Sequence, residues 1–309
     1  MRADLEVEPV LPRAIWGAGR TKIGSTVLPN LVIIGAGKAG TTSLHYYLDQ
    51  HPEIAMSTLK ETHFFVSEDW RDRIDWYQSL FPKSAAVRGE ASPSYSTYPR
   101  RRGVPERMRE LIPEAKLIYM VRDPVDRLVA HYSQHIAAGR EERSLERAIT
   151  ESLSNGDRPN NPYLAASSYA TQVEQYLGHF PSEQLLVVDQ AELAEDRLGT
   201  LRSVFDFLGV DRDFSSPRFA DMVNTKSDQL SFNRVGRKLR DSRLRHAVRA
   251  RVPRSVRRPV TKPIARMLSK SVERPSPSPE LADALRERLR PEVERLRELT
   301  GKPFDRWSV

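Results

Sequence analysis

Not one of the 309 residues is a cysteine. That absence excludes a disulfide scaffold, a thiolate zinc site, an iron–sulfur cluster and a cysteine nucleophile together. Long apolar runs are missing as well. No stretch approaches the ~18 residues that a membrane-spanning helix needs. The opening MRADLEVEPV carries acids where a secretory signal would carry its apolar stretch. The expectation is a soluble, cytoplasmic protein without a membrane span. No set of His and carboxylate residues has metal-ligand spacing, and no G-x-S-x-G elbow occurs, so neither a metal site nor an elbow-type hydrolase is expected. What is present suffices for a core: 39% of residues are hydrophobic and 8% aromatic, which argues against wholesale disorder. The length suits one large α/β domain or two small ones.

Basic residues outnumber acidic ones by 49 to 41, for a net charge of +8 and a pI near 9.7. The excess is local. Residues 233–274 hold 15 of the basic residues and 2 of the acids, leaving 34 against 39 elsewhere. The segment reads as a solvated, arginine-biased connection between Pro253, Pro259 and Pro263, or as an arm for an anionic donor or acceptor. The basic pI is therefore no argument for nucleic acid, and no nucleic-acid partner is expected.

Residues 1–29 read as an irregular N-terminal extension, and 30–309 as a single domain. Leu31-Val32-Ile33-Ile34, Ala85–Arg88, Lys116–Val121 and Leu185–Asp189 read as strands, the apolar ones as buried. Helical patterns run over Thr41–Gln50, Trp70–Phe81, Pro124 to about Ala138, Tyr163–Leu177 and Leu198–Leu208, with 155–162 a loop. A C-terminal helix over 279–300 carries Leu281, Leu285, Leu289, Val293, Leu296 and Leu299, and Gly301 stops it. Strands alternating with helices predict an α/β fold: three layers around a central parallel sheet, opening with a P-loop-like strand–loop–helix. Ligands in such sheets bind beyond the carboxyl ends of the strands.

The loop is GAGKAGTTSL, residues 35–44. Its glycines allow a tight turn, and amides at a helix N-terminus face whatever anion sits there. Lys38 adds charge, and Thr41, Thr42 and Ser43 add hydroxyls. It is not a Walker A loop, because Lys38 precedes Gly40 by two residues instead of following the last glycine. It also lacks dinucleotide-type glycine spacing. At the end of the strand Lys116–Val121, Arg122 offers a bidentate fork on the same sheet edge. Asp123 reads as an N-cap, Pro124 as the first helical residue, and Arg127 has Asp123 and Asp126 as pairing partners. Two anion sites on one edge suit a nucleotide with phosphates at both ends of its ribose.

GAGKAGTTSL followed by RDPVDRLVAHYSQ (122–134) resembles the PAPS-dependent sulfotransferases, whose donor is 3′-phosphoadenosine-5′-phosphosulfate. The segments HPEIAMSTLKETHFF (51–65) and GEASPSY (89–95), with the C-terminal LTGKPFDRW (299–307), point to the branch acting on heparan sulfate and other carbohydrates. The resemblance implies a sulfotransferase-type fold and sulfuryl transfer from PAPS, leaving PAP, without metal, to a small-molecule or glycan acceptor. It assigns the 5′-phosphosulfate to Lys38 and the amides and hydroxyls of Gly37, Ala39, Gly40, Thr41, Thr42 and Ser43. Arg122 would take the 3′-phosphate, Lys38 the charge on the bridging oxygen and Glu61 the acceptor proton. The family's second 3′-phosphate ligand is a serine eight residues after the arginine; here Ala130 stands there, with Ser133 as a candidate substitute. Arg234 and Lys238, or the stretch 224–227, occupy the part of the chain that closes over the donor in relatives. Lys60, His63, Ser92 and Tyr95 are candidates for the acceptor pocket, and Phe64 and Phe65 for the core. Thr58-Leu59-Lys60-Glu61 also fits a helix capping box, which would give Glu61 a purely structural duty. Sulfation of a specialised metabolite, or a P-loop-like nucleotide kinase, remain the alternatives. The oligomeric state is not legible.

Overall fold

The computed structural model describes residues 28–82, 84–154, 162–223 and 274–309, with the backbone of 230–232 and 269–271. The extension at 1–27 and most of the basic segment, including Arg234 and Lys238, lie outside the described residues, as does 224–227. Five parallel strands form the central sheet: β1 (Leu31–Gly35), β2 (Ile54–Met56), β3 (Val87–Ala91), β4 (Lys116–Val121) and β5 (Leu185–Asp189), in the order β2-β3-β1-β4-β5. The first strand made is thus the central one, and every residue of β1 is buried, as a strand covered on both faces requires. A separate antiparallel pair joins β6 (Leu230–Phe232) to β7 (Ser269–Ser271).

The helices that place the cleft are α1 (Thr41–Leu48), α2 (Ile74–Gln78), α3 (Val104–Leu111), α4 (Pro124–Ala138), α5 (Leu145–Ser154), α6 (Pro162–Ala165) and α7 (Tyr169–Leu177). Beyond β5 come α8 (Gln190–Glu195), α9 (Arg197–Leu208) and α10 (Pro279–Thr300). Asp123 caps α4 by accepting from the Asp126 amide at 2.8 Å. The buried stripe Leu281, Leu285, Leu289, Val293 and Leu296 docks α10 on α4, α5 and α7, while Leu299 faces out. Gly301 ends it at φ 66. Among the described residues no helix is long and apolar enough to cross a membrane.

Four expectations are corrected. The pattern over Trp70–Phe81 is not one helix but a 3-10 turn, Trp70–Arg73, followed by α2. Its path follows Trp70 and Tyr77, which pack on Phe64 and Phe65; Phe64 and Tyr77 stack at 3.9 Å. The Tyr163–Leu177 pattern breaks into α6 and α7, with side-chain hydroxyls bonding backbone carbonyls at the break. The Ser167 hydroxyl donates to the Pro124 carbonyl, and that of Ser168 to Leu164. The third strand runs Val87–Ala91, later than Ala85–Arg88. An apolar-run criterion passes over Arg88, Gly89 and Glu90, yet Gly89 is there for close packing: a Cβ would lie 2.6 Å from the Met56 sulfur. Finally, no helix begins after Thr58, so the capping-box reading of Glu61 falls.

Candidate active site

Beyond the carboxyl ends of β1, β3, β4 and β5 lies a cleft of about 1220 Å³, larger than one drug-sized ligand fills. The chain leaves β1 for one side of the sheet and returns on the other, so the loops after β1 and β4 part here, and the groove between them is the binding position of such folds.

The glycine loop forms one wall. Lys38 at φ 73 and Gly40 at φ 93 take left-handed backbone conformations, which turn the chain back onto α1. At Gly40 a Cβ would also meet the Gln190 side chain at 3.2 Å. The amides of Gly37, Lys38, Gly40, Thr41 and Thr42 have no acceptor among the described residues, whereas the Ala39 amide is spent on the Ala36 carbonyl at 3.1 Å and Ala39 is buried. Ala39 therefore leaves the set of anion donors. The Ser43 hydroxyl donates to the Val223 carbonyl at 3.3 Å. The Lys38 ammonium has no partner among the described residues, a costly state for a half-buried charge. Burial, then the charges of Arg122 and Arg127, hold it below the ordinary lysine pKa, with Glu61 acting the other way.

Glu61 faces Lys38 in the same cleft. It sits at φ 61, and its carboxylate accepts from Lys60 at 2.8 Å. Lys60 does not line the cleft and reaches it only through that bond. His63 does line it, with Nδ1 at 2.7 Å from the Ser94 hydroxyl. Beneath this segment lies the fully buried Glu90. Its carboxylate accepts from four hydroxyls: Thr62 at 2.7 Å, Tyr77 at 2.6 Å, Ser92 at 2.8 Å and Tyr95 at 2.8 Å. Burial, then the Glu90 charge, raises the phenols of Tyr77 and Tyr95 well above their ordinary pKa, so both stay donors. Ser92 and Tyr95 are accordingly not acceptor-pocket groups. They point back into the molecule, and Ser94, between them, lines the cleft. The network fixes the Glu61–His63 segment from behind, since the Ser92 hydroxyl also accepts from the His63 amide at 3.3 Å.

The opposite wall is α4. Arg122 donates to Asp126 at 2.5 Å, and Arg274 donates to the other oxygen of the same carboxylate at 2.8 Å. Burial raises the Asp126 pKa, but the bonds and charges of Arg122 and Arg274 outweigh it and leave the carboxyl below its ordinary value. The cleft face of α4 continues with Arg127, Ala130, His131 and Gln134, at helical spacing. Ser133 lies off that face; buried, it donates to the Val129 carbonyl at 2.8 Å and does not substitute at Ala130. Arg127 pairs with neither Asp123 nor Asp126. Its guanidinium is fully buried and bonds the Ser167 hydroxyl and the Tyr163 carbonyl, both at 2.7 Å, and His131 Nδ1 at 3.3 Å. Sequence reasoning missed His131, Gln134, Arg274 and the rim arginines Arg100 and Arg101. Stepping by three and four from Arg127 finds the first two, and the run Arg100-Arg101-Arg102 marks the rim pair; no local pattern announces Arg274.

A family model described as "Sulfotransferase domain" matches residues 28–247, well over half of the chain and every loop just described. The chain belongs to the sulfotransferase domain family. Its solved relatives include the sulfotransferase from Alicyclobacillus acidocaldarius, at TM-score 0.63 and 27% identity over 92% of this chain and 100% of that one. Among curated proteins it is similar to human bifunctional heparan sulfate N-deacetylase/N-sulfotransferase 2, 32% identical over 63% of this chain and 23% of that protein. It is also similar to mouse heparan sulfate glucosamine 3-O-sulfotransferase 3B1, 33% identical over 63% of this chain and 50% of that protein. The chain thus spans at most half the length of these curated relatives. The five-stranded parallel sheet is the sulfotransferase-type α/β fold.

Proposed function

We propose that this chain transfers a sulfuryl group from PAPS to a hydroxyl or amine of a carbohydrate or glycolipid acceptor. The observation that carries the reading is Lys38: an unpartnered, half-buried ammonium at the tip of a loop with five free amides, facing Glu61 across the cleft. An anion fits there, and the family membership says which one to expect. The names of the two curated relatives given above, both concerned with heparan sulfate, favour the glycan class.

In this reading the loop amides and Lys38 hold the 5′-phosphosulfate, and Arg122 holds the 3′-phosphate. The acceptor oxygen or nitrogen attacks sulfur in line. Its proton passes to the Glu61 carboxylate as the bond from sulfur to the bridging phosphate oxygen breaks and PAP departs. Negative charge grows on that bridging oxygen, where Lys38 and the amides lie already oriented. Lys60, bonded to Glu61 at 2.8 Å, fixes where that carboxylate points.

The test is transfer of labelled sulfate from PAPS to a panel of glycans, glycolipids and phenols. Lys38→Ala and Glu61→Gln should each lower kcat about 10²-fold or more, with PAP still binding Glu61→Gln. Unchanged transfer by both variants would sink the assignment of roles. An acceptor found only among small metabolites would sink the glycan class alone.

A further inference from the structure

The α4 wall holds a donor that the reading above does not use. We propose that His131 donates a hydrogen bond from Nε2 to the 3′-phosphate of the donor nucleotide, with Arg127 fixing the imidazole in the tautomer that allows it. The inference rests on the PAPS reading of the cleft.

Arg127 has only N–H donors to offer. Its Nη1 lies 3.3 Å from His131 Nδ1, so Nδ1 is the acceptor of that pair and the ring hydrogen sits on Nε2. Two other contacts lock the guanidinium, and no carboxylate among the described residues bonds it, so its charge polarises the imidazole undiminished. The rings of His135 and Tyr163, with centroids 4.4 and 5.4 Å away, hold the His131 ring in place. Among the described residues Nε2 has no partner, and the residue lines the cleft. The donor is therefore oriented, polarised and free.

Position selects the phosphate. Arg122 precedes α4, and its guanidinium reaches forward to Asp126, one turn into the helix. His131 stands one turn beyond Arg127 on the cleft face of α4, a face that Asp126 does not share. Ala130, beside His131 on that face, contributes no polar atom, and Arg127 is 1% exposed with its guanidinium turned to Ser167, Tyr163 and His131. An anion held by Arg122 thus has His131 as the next donor along the wall. Burial, then the charges of Arg127, His135, Lys38 and Arg100, hold its pKa well below the ordinary histidine value and so favour the neutral ring. The bond is that of a neutral N–H to a phosphate oxygen, directional and without added charge.

The experiment compares two nucleotides that differ only in the 3′-phosphate. Calorimetric titration of the wild type, His131→Ala and His131→Gln would use adenosine 3′,5′-bisphosphate and adenosine 5′-monophosphate. The alanine variant should bind the bisphosphate about tenfold more weakly and the monophosphate less than about twofold more weakly. Glutamine, whose amide N–H reaches where Nε2 stood, should recover most of the loss. Equal losses for both nucleotides would reduce His131 to a packing residue and overturn the proposal, as would an unchanged affinity for the bisphosphate. If the wild type itself fails to prefer the bisphosphate, the PAPS reading falls first and this inference with it.

Discussion

Lys38 is the residue whose environment makes the most specific demand. Its protonated form is disfavoured by burial and by Arg122 and Arg127, and a bound anion reverses the balance. PAP affinity should therefore be full below the free-state pKa of Lys38 and fall as pH rises through it, by about tenfold per unit until the bound-state pKa is passed. Lys38→Arg, which stays charged, should hold its affinity over the same alkaline range. Calorimetry across pH checks this, and parallel curves for the two proteins would show that the loop lysine is not the titrating group. Glu61 is set by its contacts. It is partly exposed, bound to Lys60 and held on a left-handed backbone whose conformation the Glu90 hydroxyl cluster secures.

At the scale of elements, α10 supports the cleft from behind, packing on α4 without lining the binding surface. Leu289 is fully buried in that contact. Leu289→Ala should cost about 2–5 kcal/mol of stability in denaturant unfolding and leave PAP affinity unchanged at low temperature. A loss of affinity without a loss of stability would mean that α10 shapes the site directly. The elements legible in the sequence were those written in apolar periodicity or end signals: β1, β4, β5, α1, α4, α9 and α10. The anion loop and Arg122 were legible for the same reason, because a glycine turn and a strand end are local events. Ser92, Tyr95 and Ser133 were misplaced because one polar side chain in a strand end or helix can face either way. What decides is a partner distant in sequence, here Glu90 for the first two, or a carbonyl one turn back for the third. Proximity in sequence offers Arg127 a carboxylate, whereas α6 and the break before α7 capture it. β2 and α8 are too short to stand out.

For the molecule as a whole, the cluster between α4 and α6 sets the response to acid. His135 has Nδ1 at 3.2 Å from the Tyr163 hydroxyl, which donates to Glu141 at 3.0 Å. Burial, then the Arg140 charge, lowers the His135 pKa to about 4 from 6.5. Folding thus prefers the neutral ring, while the unfolded chain binds a proton. Stability should be full above about pH 6.5 and fall toward pH 4, by roughly 1–3 kcal/mol after allowing for the partial exposure of the ring. Thermal unfolding of His135→Gln should show a flatter slope over that window; an identical slope would assign the acid sensitivity elsewhere. The sheet order has a consequence for how the chain comes to exist at all. The fully apolar β1 emerges before the other four strands of its sheet, yet both its neighbours, β3 and β4, are encoded far downstream. Until they arrive, its two hydrogen-bonding edges stand open, which is the situation in which nascent chains aggregate. The same delay means that the anion loop cannot be assembled in a partly folded intermediate. A ligand of that loop recognises only the finished fold, so PAP added during refolding should serve as a thermodynamic clamp on the native state.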